Sequence, residues 1–195
     1  MSHVEPAELL ASLGSKLRVK TATIAGEVVS NSFTRLPSAL DLRMEIEFEP
    51  AARLALGPLD LPMRRWSDLA GAEWRPPRER STRMADGEEH QIRPSGGGFV
   101  ERDEERIALA AERIVFGEVR PEALEARLTL RLDTLPSAAE ELSVVLAIGP
   151  IRVIGDIVTK PRPDLEDALR LAAEFVDVDA FEPSVSRGVV ELVPR

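Results

Sequence analysis

The clearest structural signal in the chain is the stretch LDLRMEIEFE at residues 40–49. Its apolar residues alternate with charged ones through five matched pairs, and this period of two is typical of a half-buried β-strand. Residues 124–132, LEARLTLRL, alternate in the same way. Because Arg127 and Arg131 on the second stretch complement the glutamates of the first, we expect the two strands to lie side by side.

The other strands are predicted from shorter patterns. Residues 142–148 carry apolar side chains on both faces, which predicts a central strand covered on both sides. Gly149 and Pro150 interrupt this run, and residues 151–158 predict a further strand. In the first strand segment, the apolar positions change phase near Thr21, which indicates a bulge or a bend.

Two short helices are predicted, one near each end of the chain. Residues 6–13 give the first. In the second, Asp164 is placed as the N-cap, and the apolar stripe that follows extends to about Glu174. Residues 176–178 and 189–193 are rich in valine and predict short strands that close the chain.

A Pro-, Gly- and Arg-rich insertion at about residues 57–105 separates the two groups of strands. Its five prolines and the run Gly96–Gly98 disfavour central strands, so we expect residues 75–105 to form a long loop. Arginines give residues 64–83 a formal charge of +3, although the whole chain carries −9. The insertion therefore differs from the rest of the chain in both composition and charge.

These patterns together predict the fold class. We expect residues 1–195 to form a single, mainly β domain that carries the insertion at 57–105. The strands would form an antiparallel two-layer sandwich or a strongly curved sheet, with one or two short helices.

The composition excludes several function classes. The chain has no cysteine and two histidines, His3 and His90, which removes disulfides, thiol nucleophiles and cysteine-based zinc sites. The glycines at 14 and 96–98 lack the flanking pattern of a phosphate-binding loop. An acidic protein is repelled by nucleic acid. We therefore expect a protein that uses no cofactor, binds no nucleic acid and is not an enzyme. An enzyme that works through paired carboxylates is the remaining alternative.

The sequence also gives expectations about compartment and membranes. Residues 1–13 have neither a basic start nor an apolar run of signal-peptide length. The longest nearly apolar run, residues 142–151, is half the roughly 20 residues that a membrane-spanning helix needs. We expect a cytoplasmic protein without a transmembrane segment.

The candidate docking residues are Arg64, Arg65, Trp66, Trp74 and Arg75, because both tryptophans of the chain lie beside arginines. Arginine and tryptophan are enriched at binding hot spots, since each offers a large contact area with directed polar contacts. The alternative is that the two tryptophans fold back over the end of the core, with the aliphatic parts of the arginines covering them.

Carboxylates are the only other abundant chemical group. Asp177 and Asp179 lie two apart in an apparent strand, with Glu182 close behind, and hard cations such as Ca²⁺ prefer oxygen ligands. The stretch lacks the glycine and the further ligands of a calcium loop. We therefore expect a solvated strand face and no metal site, with these three residues as the candidate ligands if one exists.

The function predicted from the sequence is protein–protein interaction or assembly, without catalysis. Docking would use the Arg/Trp-bearing insertion, the sheet edges, or both, with another protein or a further copy of the chain as the partner. The alternative is a carrier of an apolar ligand or lipid, held in a cavity between β-layers and floored by residues 142–148.

Overall fold

A computed structural model describes residues 6–31, 36–76, 82–83, 89–90, 96–102, 105–132, 135–156 and 162–195. The two α-helices are α1 (Pro6–Ser15) and α2 (Leu165–Ala172), and two 3-10 helices span Trp66–Leu69 and Val178–Ala180. The strands are β1 (Arg18–Asn31), β2 (Leu36–Glu49), β3 (Ala52–Leu59), β4 (Glu73–Trp74), β5 (Thr82–Arg83), β6 (Glu89–His90), β7 (Gly97–Arg102), β8 (Glu105–Val119), β9 (Ala123–Leu132), β10 (Leu135–Asp156), β11 (Phe181–Ser186) and β12 (Val189–Pro194).

Seven strands pair in a closed ring. Their order is β1-β2-β3-β7-β8-β9-β10, and β10 returns to pair with β1. Consecutive strands of the ring are antiparallel, whereas β1 and β10 are parallel. This follows from the odd number of strands, because the first and the seventh strands of an antiparallel series run in the same direction. The predicted mainly β fold with a strongly curved antiparallel sheet is confirmed, and the curvature closes the sheet.

Bulges adjust the register of the long strands. The pairing of β1 with β2 shifts between Val19 and Thr21, which confirms the predicted bulge. Along β10, Ile148 pairs with Ile24 and Ile151 with Gly26, so one additional residue lies in β10 at Gly149-Pro150. A bulge reverses the alternation of faces beyond it. The proline is thereby accommodated inside one continuous strand rather than between two.

Two predictions about the central strands are wrong. Val145 in β10 is 59% exposed, so this strand is covered on its inner face and not on both faces as predicted. In addition, β2 and β9 are not neighbours, because β2 pairs with β1 and β3, and β9 with β8 and β10. The glutamates of β2 find their complement on β3 instead, where the Arg53 Nη2 atom lies 2.9 Å from the Glu45 Oε1 atom.

The core fills the inside of the closed sheet with side chains from every strand of the ring. The inward residues with 0–2% exposure include Ile24, Val28, Leu42, Met44, Ile46, Leu54, Leu56, Val100, Leu109, Ile114, Phe116, Leu124, Leu128, Leu130, Leu132, Leu146 and Ile151. α1 packs against β9 and β10 and adds three buried leucines to the same core: Leu9, Leu10 and Leu13. α1 leads into the first residues of β1, and the pairing of β1 with β10 begins after them, at Thr23.

The insertion contains ordered strands where the sequence predicted a loop. β7 lies between β3 and β8 in the ring, and β4 extends the same edge of β8. Glycine permits this position: a Cβ atom on Gly98 would collide with the Ala55 carbonyl oxygen of β3. The parts of the insertion at 77–81, 84–88, 91–95 and 103–104 lie outside the described residues.

The C-terminal region packs against β10 through α2 and the β11–β12 hairpin. The Asp164 side chain accepts a hydrogen bond from the Asp167 N–H at 2.9 Å, which confirms the predicted N-cap. The valine-rich residues 176–178 do not form the predicted strand, because Val178–Ala180 is a 3-10 helix capped by Asp177. Within the described ranges, no helix is long and apolar enough to cross a membrane.

Candidate functional site

Residues 60–75, here called the capping segment, fold over one end of the closed sheet. The segment leaves the end of β3, passes through a 3-10 helix and pairs with β8 through β4. Its buried side chains are Leu61, Met63, Trp66, Leu69 and Trp74. Each tryptophan residue is only 5% exposed, and Trp74 Nε1 donates a hydrogen bond to the Asp60 carbonyl oxygen at 3.0 Å. Both tryptophans therefore anchor the segment to the core.

Arg64 connects the capping segment to the end of α2. Its guanidinium donates to the carbonyl oxygens of Ala173 and Glu174, both at 3.1 Å. The last carbonyls of a helix have no partners within the helix and carry partial negative charge, so a cation stabilises them. The Asp177 N–H donates in turn to the Arg64 carbonyl oxygen at 2.9 Å. Side chain and backbone together fasten the segment to the C-terminal region.

Arg65 pairs with Asp177 across the same contact. The Arg65 Nε atom lies 2.6 Å from the Asp177 Oδ2 atom, and its Nη2 atom contacts the same oxygen. These hydrogen bonds lower the pKa of Asp177 below its ordinary value. Asp68 accepts the backbone N–H groups of Arg64 and Arg65 at 2.8 and 2.7 Å, which fixes the turn before the 3-10 helix. The Arg65 side chain nevertheless remains 58% exposed.

Arg75 belongs to a second ionic cluster, on β4 and β8. Its Nε atom donates to Glu73 Oε1 at 2.7 Å, and Arg113 donates to Glu73 Oε2 at 2.8 Å. The hydrogen bond from Arg113, followed by that from Arg75, lowers the pKa of Glu73 to about 2. The Arg75 side chain is 67% exposed. Glu73 thus orients an arginine that still presents most of its surface.

The five predicted docking residues divide into two groups. Trp66 and Trp74 lie in the core, whereas the three arginines lie at the surface of the capping segment and bind carboxylates or carbonyls. The sequence missed Asp177 as the partner of Arg65, and it missed Arg113, which shares the carboxylate of Glu73 with Arg75. Asp177 is 112 residues away from Arg65, and opposite charge is the only signal that connects the two positions.

The candidate metal ligands are not arranged as the sequence predicted. Asp177 caps a 3-10 helix and pairs with Arg65, Asp179 lies in that helix, and Glu182 follows on β11. Among the residues that the structure describes, no group of three or more Asp, Glu or His side chains is placed to hold a metal ion. A strand that presents Asp177 and Asp179 on one face is not formed.

β11 is the edge strand that the sheet order leaves outermost. Among the described strands it pairs only with β12, and Pro183 lies opposite Leu192. A proline has no N–H group and cannot sit in a hydrogen-bonded pair, so the nitrogen of Pro183 faces the free edge. A proline at this position weakens pairing with another strand.

The chain matches no protein-family model, no curated protein and no solved structure.

Proposed function

We propose that this protein is a non-catalytic assembly component that acts in the cytoplasm and docks onto a protein partner through the exposed side of the capping segment. Arg65 and Arg75 are the main docking groups. The observation that supports this proposal is that both guanidinium groups are held by carboxylates, while more than half of each side chain stays exposed.

Preorganised arginine side chains lower the entropic cost of binding at the capping segment. Binding immobilises flexible side chains at a cost of about 0.5–1.5 kcal/mol each. Asp177 orients Arg65, and Glu73 orients Arg75, before a partner arrives. The buried tryptophans fix the backbone of the capping segment between these two arginines. An arginine fork that is already oriented can bind carboxylates or carbonyl oxygens of a partner at a smaller entropic cost. This favours the capping segment over the edge of β11, where Pro183 weakens strand pairing.

The test compares two pairs of arginines in the native host. The variant Arg65→Ala/Arg75→Ala removes the proposed docking groups, and Arg120→Ala/Arg152→Ala is the matched control. The control arginines are 58% and 55% exposed, and each also pairs with a carboxylate. We expect copurifying partner protein, quantified by mass spectrometry, to fall about tenfold or more in the first variant. It should stay unchanged in the control, and equal partner recovery from both variants would contradict the proposal.

A carrier of an apolar ligand is the second candidate. It is favoured by the closure of the sheet, since a closed sheet can hold one ligand inside. It is also favoured by the position of α1, which leads into the first residues of β1, before the part of β1 that pairs with β10. The inward positions are occupied by large apolar side chains, so a ligand would have to displace α1 or part of the core. Organic extraction of protein purified from the host tests this candidate. Extracts without lipid would reject it.

A further inference from the structure

A row of alternating charges crosses four strands on the outer face of the closed sheet. Glu47 on β2 pairs with Arg53 on β3, Arg53 pairs with Glu101 on β7, and Glu101 pairs with Arg106 on β8. These four residues are here called the charge row. Cross-strand neighbours of opposite charge stabilise a sheet, and this accounts for part of the pattern.

The charge row keeps much of its surface exposed. Arg106 Nη2 lies 3.1 Å from Glu101 Oε2, and the Arg53 side chain binds Glu45 at 2.9 Å. The side chains of Arg53 and Arg106 are nevertheless 46% and 61% exposed. Surface pairs of this kind contribute little to stability, so each arginine remains able to bind a second carboxylate.

A second row runs parallel to the first and is apolar. Ala55 on β3 pairs with Phe99 on β7, and Phe99 pairs with Ala108 on β8. Ala55, Phe99 and Ala108 are here called the apolar row, and Glu45 on β2 pairs with Ala55 at its end. The Arg106 guanidinium lies 3.9 Å from the centre of the Phe99 ring and joins the two rows. Three residues of the charge row, Glu47, Arg53 and Glu101, line an open groove of about 380 Å³ together with Lys20 and Arg102.

We propose that this outer face of β2, β3, β7 and β8 docks against the same face of a second copy of the chain. The two copies are related by a two-fold axis parallel to the strands, which sets each row against the same row of the other copy and reverses the order of the strands along it. Glu47 of one copy then faces Arg106 of the other, and Arg53 faces Glu101. Every charge of the row meets an opposite charge.

The same two-fold axis also matches the apolar row. Reversal about a point between β3 and β7 sets Phe99 of each copy against Ala55 of the other, so a large side chain meets a small one. The open groove beside Glu47 leaves room for the approaching Arg106 side chain. One symmetry operation therefore pairs every charge of the charge row and sets Phe99 against Ala55, with Glu45 of each copy facing Ala108 of the other. This self-complementarity identifies a second copy as the occupant.

The size of the face predicts a weak and salt-sensitive dimer. Four strands about 4.8 Å apart and two rows about 7 Å apart span an area well below the roughly 800 Å² per partner of a standard interface. Exposed charges are screened beyond about 10 Å at 0.1 M salt. The dimer should therefore form at low ionic strength and dissociate as salt is added. It does not depend on the capping segment, so the two proposals stand or fall separately.

The decisive experiment is a charge exchange followed by sedimentation velocity. In the Arg53→Glu variant the introduced carboxylate faces Glu101 of the second copy, and in the Glu101→Arg variant the introduced guanidinium faces Arg53. Each single variant therefore brings like charges together across the interface between two identical copies. Like charges brought together in this way should weaken dimerisation on the order of tenfold or more. When the two variants are mixed, the glutamate introduced in one copy faces the arginine introduced in the other, and the unchanged Glu101 and Arg53 meet in the other half of the interface. The mixture should therefore dimerise like the wild type.

Two further variants keep the test independent of folding. Arg120→Glu reverses a comparably exposed arginine outside this face and should dimerise normally. Ala108→Glu leaves the charge row intact, but it places a carboxylate opposite Glu45 of the second copy and should abolish dimerisation. A wild-type protein that stays monomeric at low salt, a mixture that stays monomeric, or an Ala108→Glu variant that still dimerises would each overturn the proposal.

Discussion

Gly96 has a φ of +83° and lies against the ring of Trp74, so closely that a Cβ atom at this position would collide with the ring. Its N–H donates to the Pro58 carbonyl oxygen at 2.9 Å, and its own carbonyl accepts the Ala111 N–H at 2.9 Å. Glycine is favoured here both by the left-handed backbone and by the indole. This residue therefore joins the capping segment to the start of β7.

Replacing Gly96 by alanine should destabilise the protein more than the same change at Gly71. Gly71 also has a positive φ, +71°, but a Cβ atom there would meet nothing within 4 Å. The difference between the two variants isolates the collision with Trp74, for which overpacking predicts about 1–3 kcal/mol. Urea unfolding monitored by tryptophan fluorescence measures this difference. Equal unfolding free energies for the two variants would contradict the described contact.

The stability contribution of Glu73 should depend on pH. Its pKa is lowered from 4.5 to about 2 by the hydrogen bonds from Arg113 and Arg75. A lowered folded-state pKa stabilises the protein above pH 4.5, and this contribution is lost as the pH falls through about 2. The melting temperature of wild type should therefore exceed that of Glu73→Gln near neutral pH, and the two should converge toward pH 2. A constant difference across this range would contradict the described ionic cluster.

Among the secondary-structure elements, α2 depends on a contact that lies far away in the sequence. Its N-terminus is capped locally by Asp164, whereas its C-terminal carbonyls bind the guanidinium of Arg64. The first contact is predictable, because capping residues lie within one turn of the helix that they stabilise. The second joins positions 109 and 110 residues apart, and no local pattern predicts it.

The variant Arg64→Met should loosen the attachment of the capping segment to α2. A charged hydrogen-bond donor at a helix C-terminus contributes about 1 kcal/mol. The Asp177 amide, which donates to the Arg64 carbonyl, should then exchange its hydrogen about five times faster. Arg170→Met is the control, because Arg170 is 80% exposed and pairs with Asp167 on α2 itself. Equal exchange rates at Asp177 in both variants would show that the Arg64 side chain does not hold the segment.

The difference between local patterns and contacts far apart in the sequence also explains which strands were predictable. Period-two alternation identified β2 and β9, because alternation is a property of the strand alone. It could not identify their neighbours, since the charges of β2 complement Arg53 on β3 as well as they complement Arg127 and Arg131 on β9. The exposure of Val145 was missed for a related reason. The apolar character of a side chain does not show whether another layer of the protein covers it.

At the scale of the whole molecule, the closure of the sheet is the feature that the sequence could not predict. A strongly curved sheet and a closed one have the same alternating strands and differ only in the pairing of β1 with β10, whose residues Thr23 and Ala147 are far apart in the chain. The positions of the candidate docking residues in the fold differ from one another. The arginines lie at the surface, but the tryptophans beside them complete the core at one end of the sheet.

Native mass spectrometry of the protein purified gently from its host tests the central claim, that the chain is an assembly component that docks through the capping segment. For the wild type, we expect a discrete complex that contains a partner protein, and we expect this complex to be absent for Arg65→Ala/Arg75→Ala. The control Arg120→Ala/Arg152→Ala should retain it. A wild-type chain recovered without any protein partner, either bare or with a small added mass that organic extraction removes, would contradict the claim.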